Sequence, residues 1–245
     1  MSINKRLFKI AYKKLKSSVY YDKTQAILRN ELVNYEAGIE DIEKYLDEFA
    51  ESFADVEKRN TLVEEILSTI TYYAFPKKLA AGKSTMITNY VKNQMDIEEN
   101  QYFINMDIRG HILGVLWLML VGYRVDQKIY KHSYGNRIRS NLYNELSEEP
   151  TYSPYLFEPY FQQYESWRDK AMNEAVHYLH SGQDVVILTL DFKRFFYSLD
   201  ISESLMEELY KDAEIEDDGE QKAVNDFVFR VISRYASLFN EFDGR

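Results

Sequence analysis

Apolar side chains recur at three- and four-residue intervals near the start of the chain. Phe8, Tyr12 and Leu15 share one face, with lysines between them, and the spacing predicts an amphipathic helix. The stretch "IEDIEKYLDEFAESFADVEKRNTLVEEILSTITYY" repeats the pattern and predicts one or two helices, with Pro76 as the stop. "AAGKSTMITNYVKNQ" loses the period and reads as a turn and a short strand. "RGHILGVLWLMLVGYRVDQKIY" is apolar on all sides, as a buried helix is. "EEPTYSPYLFEP" holds three of the four prolines and reads as a connector. A helix is predicted over Tyr160–His180, stopped by "SGQ". Val185–Leu190 is a mostly apolar and β-branched run, the mark of a strand covered on both faces. A helix follows from about Glu203, with Asp200 and Glu203 as its capping box. The last helix carries Val224, Phe227, Val228, Val231, Tyr235, Leu238 and Phe239 on one face. The fold class is therefore α+β and predominantly helical.

Composition narrows the class. A chain of 245 residues, 45% hydrophobic, is long enough for a substantial core. Absence of cysteine removes disulfides and thiolate metal sites, and fits a cytoplasmic setting. The N-terminus lacks the apolar core of a secretory signal. The longest apolar run, Ile112–Val121, falls short of the roughly 18 residues a membrane span needs, so no membrane is expected.

Net charge is −10, which argues against a protein that simply coats nucleic acid. The charge is uneven, however. Lys5–Lys16 holds six basic residues and no acid, and Arg124–Arg139 holds five against Asp126 alone. Glu31–Glu65 holds twelve acids against three bases. A basic groove on an acidic body fits this pattern.

Several short stretches carry candidate chemistry. Asp191 stands at the end of the apolar run, where a carboxylate needs a partner. A divalent cation would keep it ionised, although on spacing alone a helix cap or an ion pair with Lys193 or Arg194 is the commoner explanation. "GKST" at Gly82–Thr85 lacks the first glycine and the preceding strand of a phosphate loop, and reads as a basic loop. His177 and His180 lack a third ligand at a diagnostic spacing, and Asp217–Asp218 sits in an acidic, polar setting. In "HSYGNRIRS", Gly135 and Asn136 make a turn and Arg137 and Arg139 project beyond it, near Tyr134. Arginine beside an aromatic suits a phosphate or a stacked base, and a structural ion pair serves equally well.

Taken together these pieces resemble a reverse transcriptase. "LTLDFKRFFYSLD" is similar to that family's first palm motif, with Asp191, Phe195, Phe196, Ser198 and Leu199 in place. "SYGNRIRS" resembles the arginine-bearing element upstream of it, and "DKAMNEAVHYL" the helix between them. "INMDIRGHILGVLWLML" resembles the segment joining fingers to palm, and "YYAFPKK" the entry to a basic fingers strand. The likeness spans about Tyr72–Ile201, and its flavour is that of the bacterial, defence-associated, abortive-infection type.

The resemblance implies a reverse-transcriptase-like fold: an N-terminal helical region (1–70), a fingers-like region (71–180) and an incomplete palm (181–245). It implies two-metal nucleotidyl transfer with Mg²⁺ held by Asp191 and the backbone carbonyl of Phe192. Phe196 would stack beneath the sugar and reject a 2′-hydroxyl. Lys77, Lys78 and Lys83 would meet the triphosphate, and Arg137 and Arg139 the nucleic acid. The implied partners are an RNA template or non-coding RNA, a DNA product, deoxynucleoside triphosphates and a companion defence protein. The family's aromatic–x–Asp–Asp motif does not follow, so the expectation is an N-terminal piece that is inactive alone. A non-catalytic nucleic-acid-binding module and a helical protein-interaction scaffold are the alternatives.

Overall fold

The computed structural model describes residues 3–22, 25–79, 97–139, 155–191, 201–215 and 219–243. The expected positions Lys83, Phe192, Phe196, Asp200, Asp217 and Asp218, and the stretch Ala80–Gln94, lie outside them. Helices dominate: α1 (Lys5–Tyr21), α2 (Ala26–Ala37), α3 (Ile42–Ala54) and α4 (Val56–Ser68) precede an antiparallel hairpin, β1 (Thr71–Leu79) and β2 (Ile97–Asn105). After the hairpin come α5 (Ile108–Trp117), a π-helical turn over Leu118–Gly122 and α6 (Tyr123–Lys128). The remaining helices are α7 (Tyr160–His180), α8 (Glu203–Asp212) and α9 (Gly219–Asp243).

One continuous core runs from Ile3 to Phe227. The apolar face of α1 places Phe8 edge-on to Phe49 of α3, with ring centroids 4.9 Å apart. Beneath them Leu46, Phe53, Ile66, Ile112, Leu113 and Leu116 are fully enclosed. Each such side chain contributes about 1.5–3 kcal/mol through burial. The segment Ile108–Lys128 is long and apolar enough to cross a membrane, yet its core positions are covered by α1, α4 and α9. Packing of α9 against it is fixed by Val224 and Phe227 and by a hydrogen bond from Trp117 Nε1 to Asn225 Oδ1 of 3.0 Å.

The charged blocks of the sequence meet each other in the fold. Lys9 of α1 reaches Asp47 (2.8 Å) and Glu43 (3.2 Å), Lys16 reaches Glu36 (2.6 Å), and Lys5 pairs with Glu51. Donation to the Asp47 and Glu43 carboxylates holds the Lys9 ammonium above its ordinary pKa. The basic N-terminal run is thus spent on the acidic α2–α3 surface. In the second basic run, residues 124–139, Lys128 pairs with Glu214 (3.2 Å), Arg137 with Asp126 (3.0 Å) and Arg139 with Glu158 (3.4 Å).

Three local readings need correction, and one that left two possibilities open is decided. The helical stretch ends at Ser68, not at Pro76: Thr69 and Ile70 leave the helix, and β1 runs through the proline. Pro76, opposite Asn100, stands next to a register shift and on a strand with one edge unpaired among the described residues, two settings that tolerate proline. α3 and α4 are separate helices hinged on Asp55, whose Oδ1 accepts from the amides of Glu57 and Lys58 at 3.0 Å. α8 is capped by Ser202, whose hydroxyl accepts from Leu205 N at 3.2 Å. Finally, Val185–Leu190 is neither covered nor part of a strand. Val186, Ile187, Leu188 and Leu190 are 60–92% exposed, because among the described residues no strand lies beside them.

Candidate nucleic-acid interface

The surface to be weighed is built on α6, the segment after it and the start of α7. α6 ends where Ile129 turns extended, leaving Asp126 in the last turn with its side chain almost wholly buried. Arg137 closes on it as a fork. Nε lies 3.0 Å from Oδ1, Nη2 lies 3.1 Å from Oδ2 and 2.9 Å from the Asp126 carbonyl, and Nη1 donates to the Ser133 carbonyl at 3.1 Å. The Ile138 amide also donates to Asp126 Oδ1, at 3.2 Å. The loop between is turned by Gly135 and by Asn136, which takes φ = +48°, a left-handed geometry that asparagine accepts readily. Arg137 is therefore engaged by the fold, which is the structural alternative for this residue.

Arg139 is held differently. Its amide donates to the Leu156 carbonyl at 3.1 Å, and the Glu158 amide returns a bond to the Arg137 carbonyl at 2.8 Å. This short antiparallel bridge, Ile138 opposite Phe157, lays the Arg137–Arg139 segment beside the chain that enters α7. The Arg139 guanidinium stands 5.6 Å from the centre of the Tyr155 ring and 3.4 Å from Glu158, and Tyr155 in turn contacts Tyr21 at 5.7 Å. At the other end of the loop Lys170 of α7 sits 5.1 Å above the Tyr134 ring. So α7 is tied to the basic loop at its start and at its middle.

Aromatic rings crowd this surface. Tyr130 and His132 are 5.1 Å apart, and His132 Nδ1 lies 3.3 Å from the Tyr134 hydroxyl. On α7, Tyr160, Tyr164 and Trp167 form a row with centroid spacings of 6.2 and 5.7 Å. These α7 residues were not singled out from the sequence. The signal was present in "YFQQYESW", where aromatics at i, i+4 and i+7 mark one helix face.

The other expected contacts stand elsewhere. Lys77 and Lys78 lie on β1 and pair across the hairpin with Glu99 (2.8 Å) and Glu98 (2.7 Å), both exposed. The hydrogen bond to Glu98 holds the Lys78 ammonium above its ordinary pKa. The hairpin is clamped to α4 and α5 by Asp107, which caps α5 at Arg109 N (2.7 Å). Arg109 in turn grips both Asp107 oxygens, at 3.0 and 3.1 Å, and reaches Glu65. Asp191 is exposed and ends the uncovered apolar run. Among the described residues no three His, Asp or Glu side chains gather closely enough to hold a metal ion.

No protein-family profile matches the chain, and no curated protein or solved structure shows significant similarity to it.

Proposed function

We propose that the chain forms the fingers and first palm segment of an RNA-directed DNA polymerase, in which Val185–Asp191 becomes a sheet strand once further palm strands pair with it. One observation carries the proposal. Four apolar, mostly branched side chains stand in water directly before a carboxylate, at 60–92% exposure. Left exposed, each forgoes about 1.5–3 kcal/mol of burial. The side chains fit a doubly covered strand, and the missing element is the covering. Met172, Val176 and Leu179 of α7 are exposed as well, and would supply one such cover.

In this reading Asp191 is one ligand of a catalytic metal site. Mg²⁺ takes oxygen ligands in octahedral geometry and is usually held by one or two carboxylates plus substrate phosphates. Asp191 is a single carboxylate, so the described residues do not make that site by themselves. The sugar-selecting role of Phe196, the Phe192 carbonyl contact and the triphosphate role of Lys83 rest on the resemblance alone, as does the antiviral setting, and the cytoplasmic location rests on the absence of cysteine. Arg139 is the better placed of the two arginines for nucleic acid, since Arg137 spends its donors on Asp126 and Ser133.

The test lies in the gene. The proposal expects the frame encoding this chain to continue past the codon for Arg245 into strands that include aromatic–x–Asp–Asp. In the longer product the Val185–Leu190 amides should be protected from hydrogen exchange. A frame without that motif, or amides that exchange as freely in the longer product, overturns it.

A further inference from the structure

The aromatic row on α7 is not needed by the core. Tyr160, Tyr164 and Trp167 are 77%, 46% and 49% exposed, and Ala175 is the one residue of the helix that is buried. Rings this large are seldom left in water in a row, and contiguous exposed apolar surface marks a binding face. What kind of partner fits is set by the charges around the row. Both anchoring points of α7, the Arg139 bridge and the Lys170–Tyr134 contact, belong to the basic segment Arg124–Arg139. The lone acid of that segment, Asp126, is neutralised by Arg137. Of the acids beside the row, Asp169 pairs with Arg168 at 2.6 Å and Glu158 with Arg139, while Glu165, exposed between Tyr164 and Trp167, lies in the field of Arg168. Lys131 is exposed between Tyr130 and His132 and makes no ion pair among the described residues. The surface thus combines flat rings with two cations, Lys131 and Lys170, that make no ion pair among the described residues, against the single acid Glu165 within the row.

We propose that this surface is a stacking track for single-stranded nucleic acid. Bases lie against Tyr160, Tyr164 and Trp167, and the phosphates run along Lys131 and Lys170. Tyr160 to Lys170 spans about 15 Å of helix, enough for a short run of nucleotides. Recognition of this kind is tolerant of sequence, because every base offers a π-face, and it depends strongly on salt. A double helix hides its bases and would not use the rings. The inference goes beyond the polymerase assignment and needs neither Asp191 nor catalysis.

The test uses the full chain and two labelled twelve-nucleotide strands, oligo-dT and oligo-U, followed by fluorescence anisotropy. Tyr164→Ala with Trp167→Ala should weaken binding about 10- to 100-fold, with the salt slope unchanged. Tyr164→Phe with Trp167→Phe should keep most of the affinity. Lys131→Gln with Lys170→Gln should instead flatten the salt dependence by about 1.4 in log–log slope. In the unaltered chain the strand should also quench Trp167 emission. That readout needs no substitution, since the only other tryptophan, Trp117, is hydrogen-bonded to Asn225. Unchanged affinity in the alanine pair overturns the track. So does a phenylalanine pair as weak as the alanine pair, or a wild-type chain that binds neither strand. Self-association abolished by the alanine pair, without oligonucleotide binding, would assign the row to a protein partner instead. Ring-dependent strand binding with no polymerase activity in any longer product would sink the polymerase assignment and leave the track standing.

Discussion

Arg137 and Asp126 form a two-pronged ion pair in which Nε–Oδ1 is 3.0 Å and Nη2–Oδ2 is 3.1 Å, and Asp126 is only 8% exposed. Removing one partner strands the other in a poorly solvated place. Arg137→Ala should therefore destabilise the fold by about 3 kcal/mol, read as a lower urea midpoint, a size characteristic of a broken buried pair. Arg139→Ala should shift that midpoint far less, because its partners Glu158 and Tyr155 are partly solvated. Equal midpoints for the two variants would mean that the fork is not structural.

His111 faces the apolar cavity of about 430 Å³ between α1, α5 and α9. Loss of water around the ring pushes its pKa down to about 4, against the opposing pull of Asp107 and a hydrogen bond with the Met106 carbonyl. A histidine depressed in the fold contributes stability that is complete above its unfolded pKa of about 6.5 and is lost as pH falls toward 4. Stability should drop between pH 6.5 and 4.5, by up to about 3 kcal/mol once pH reaches 4. The depressed carboxylates Glu36 and Glu43 act only at the lower end of the range, as pH falls below their unfolded values. Denaturant titrations of wild type and His111→Gln at pH 7 and pH 4.5 check this. The variant should lose little between the two.

Two glycines one turn apart on α5 should respond oppositely to alanine. A Cβ on Gly114 meets nothing within 4 Å, so Gly114→Ala should gain about 0.5–1 kcal/mol from helix propensity. A Cβ on Gly110 would lie 2.8 Å from Ile66 Cγ2 and 2.6 Å from Met106 Sδ, with Ile66 fully buried. Gly110→Ala should cost about 1–3 kcal/mol by overpacking. Thermal midpoints moving in the same direction would contradict the packing described for α5.

Asn225, 2% exposed, accepts from Trp117 Nε1 and joins α9 to α5. Asn225→Leu leaves that indole N–H without its acceptor and should destabilise by about 1–3 kcal/mol. A blue shift of Trp117 emission, isolated in a Trp167→Phe background, should accompany it, since the indole loses its polar partner.

The helices were legible because their apolar faces repeat: α1, α7 and α9 follow the spacing of Phe8, Tyr160 and Val224. Other features depended on partners distant in sequence. The basic run of α1 fits one wall of a basic groove until Glu43, Asp47 and Glu51 are seen to face it. Periodicity alone misses β1, because Pro76 reads as a helix stop, although the likeness of "YYAFPKK" to the entry of a fingers strand points to it; the proline stands next to the register shift with β2. Arg137 leaves two roles open until Asp126, eleven residues earlier, is found beneath it. Val185–Leu190 shows the limit most plainly. An apolar run records that a segment needs cover, and says nothing of whether the described residues provide it.

Single-nucleotide primer extension tests the polymerase assignment most directly. A product carrying this chain together with the strands expected beyond Arg245 is given an RNA template, a recessed DNA primer, Mg²⁺ and one complementary deoxynucleoside triphosphate. Incorporation that Asp191→Asn abolishes, while primer–template binding is kept, is the predicted result. Incorporation that survives Asp191→Asn, or none from the unaltered product, contradicts it.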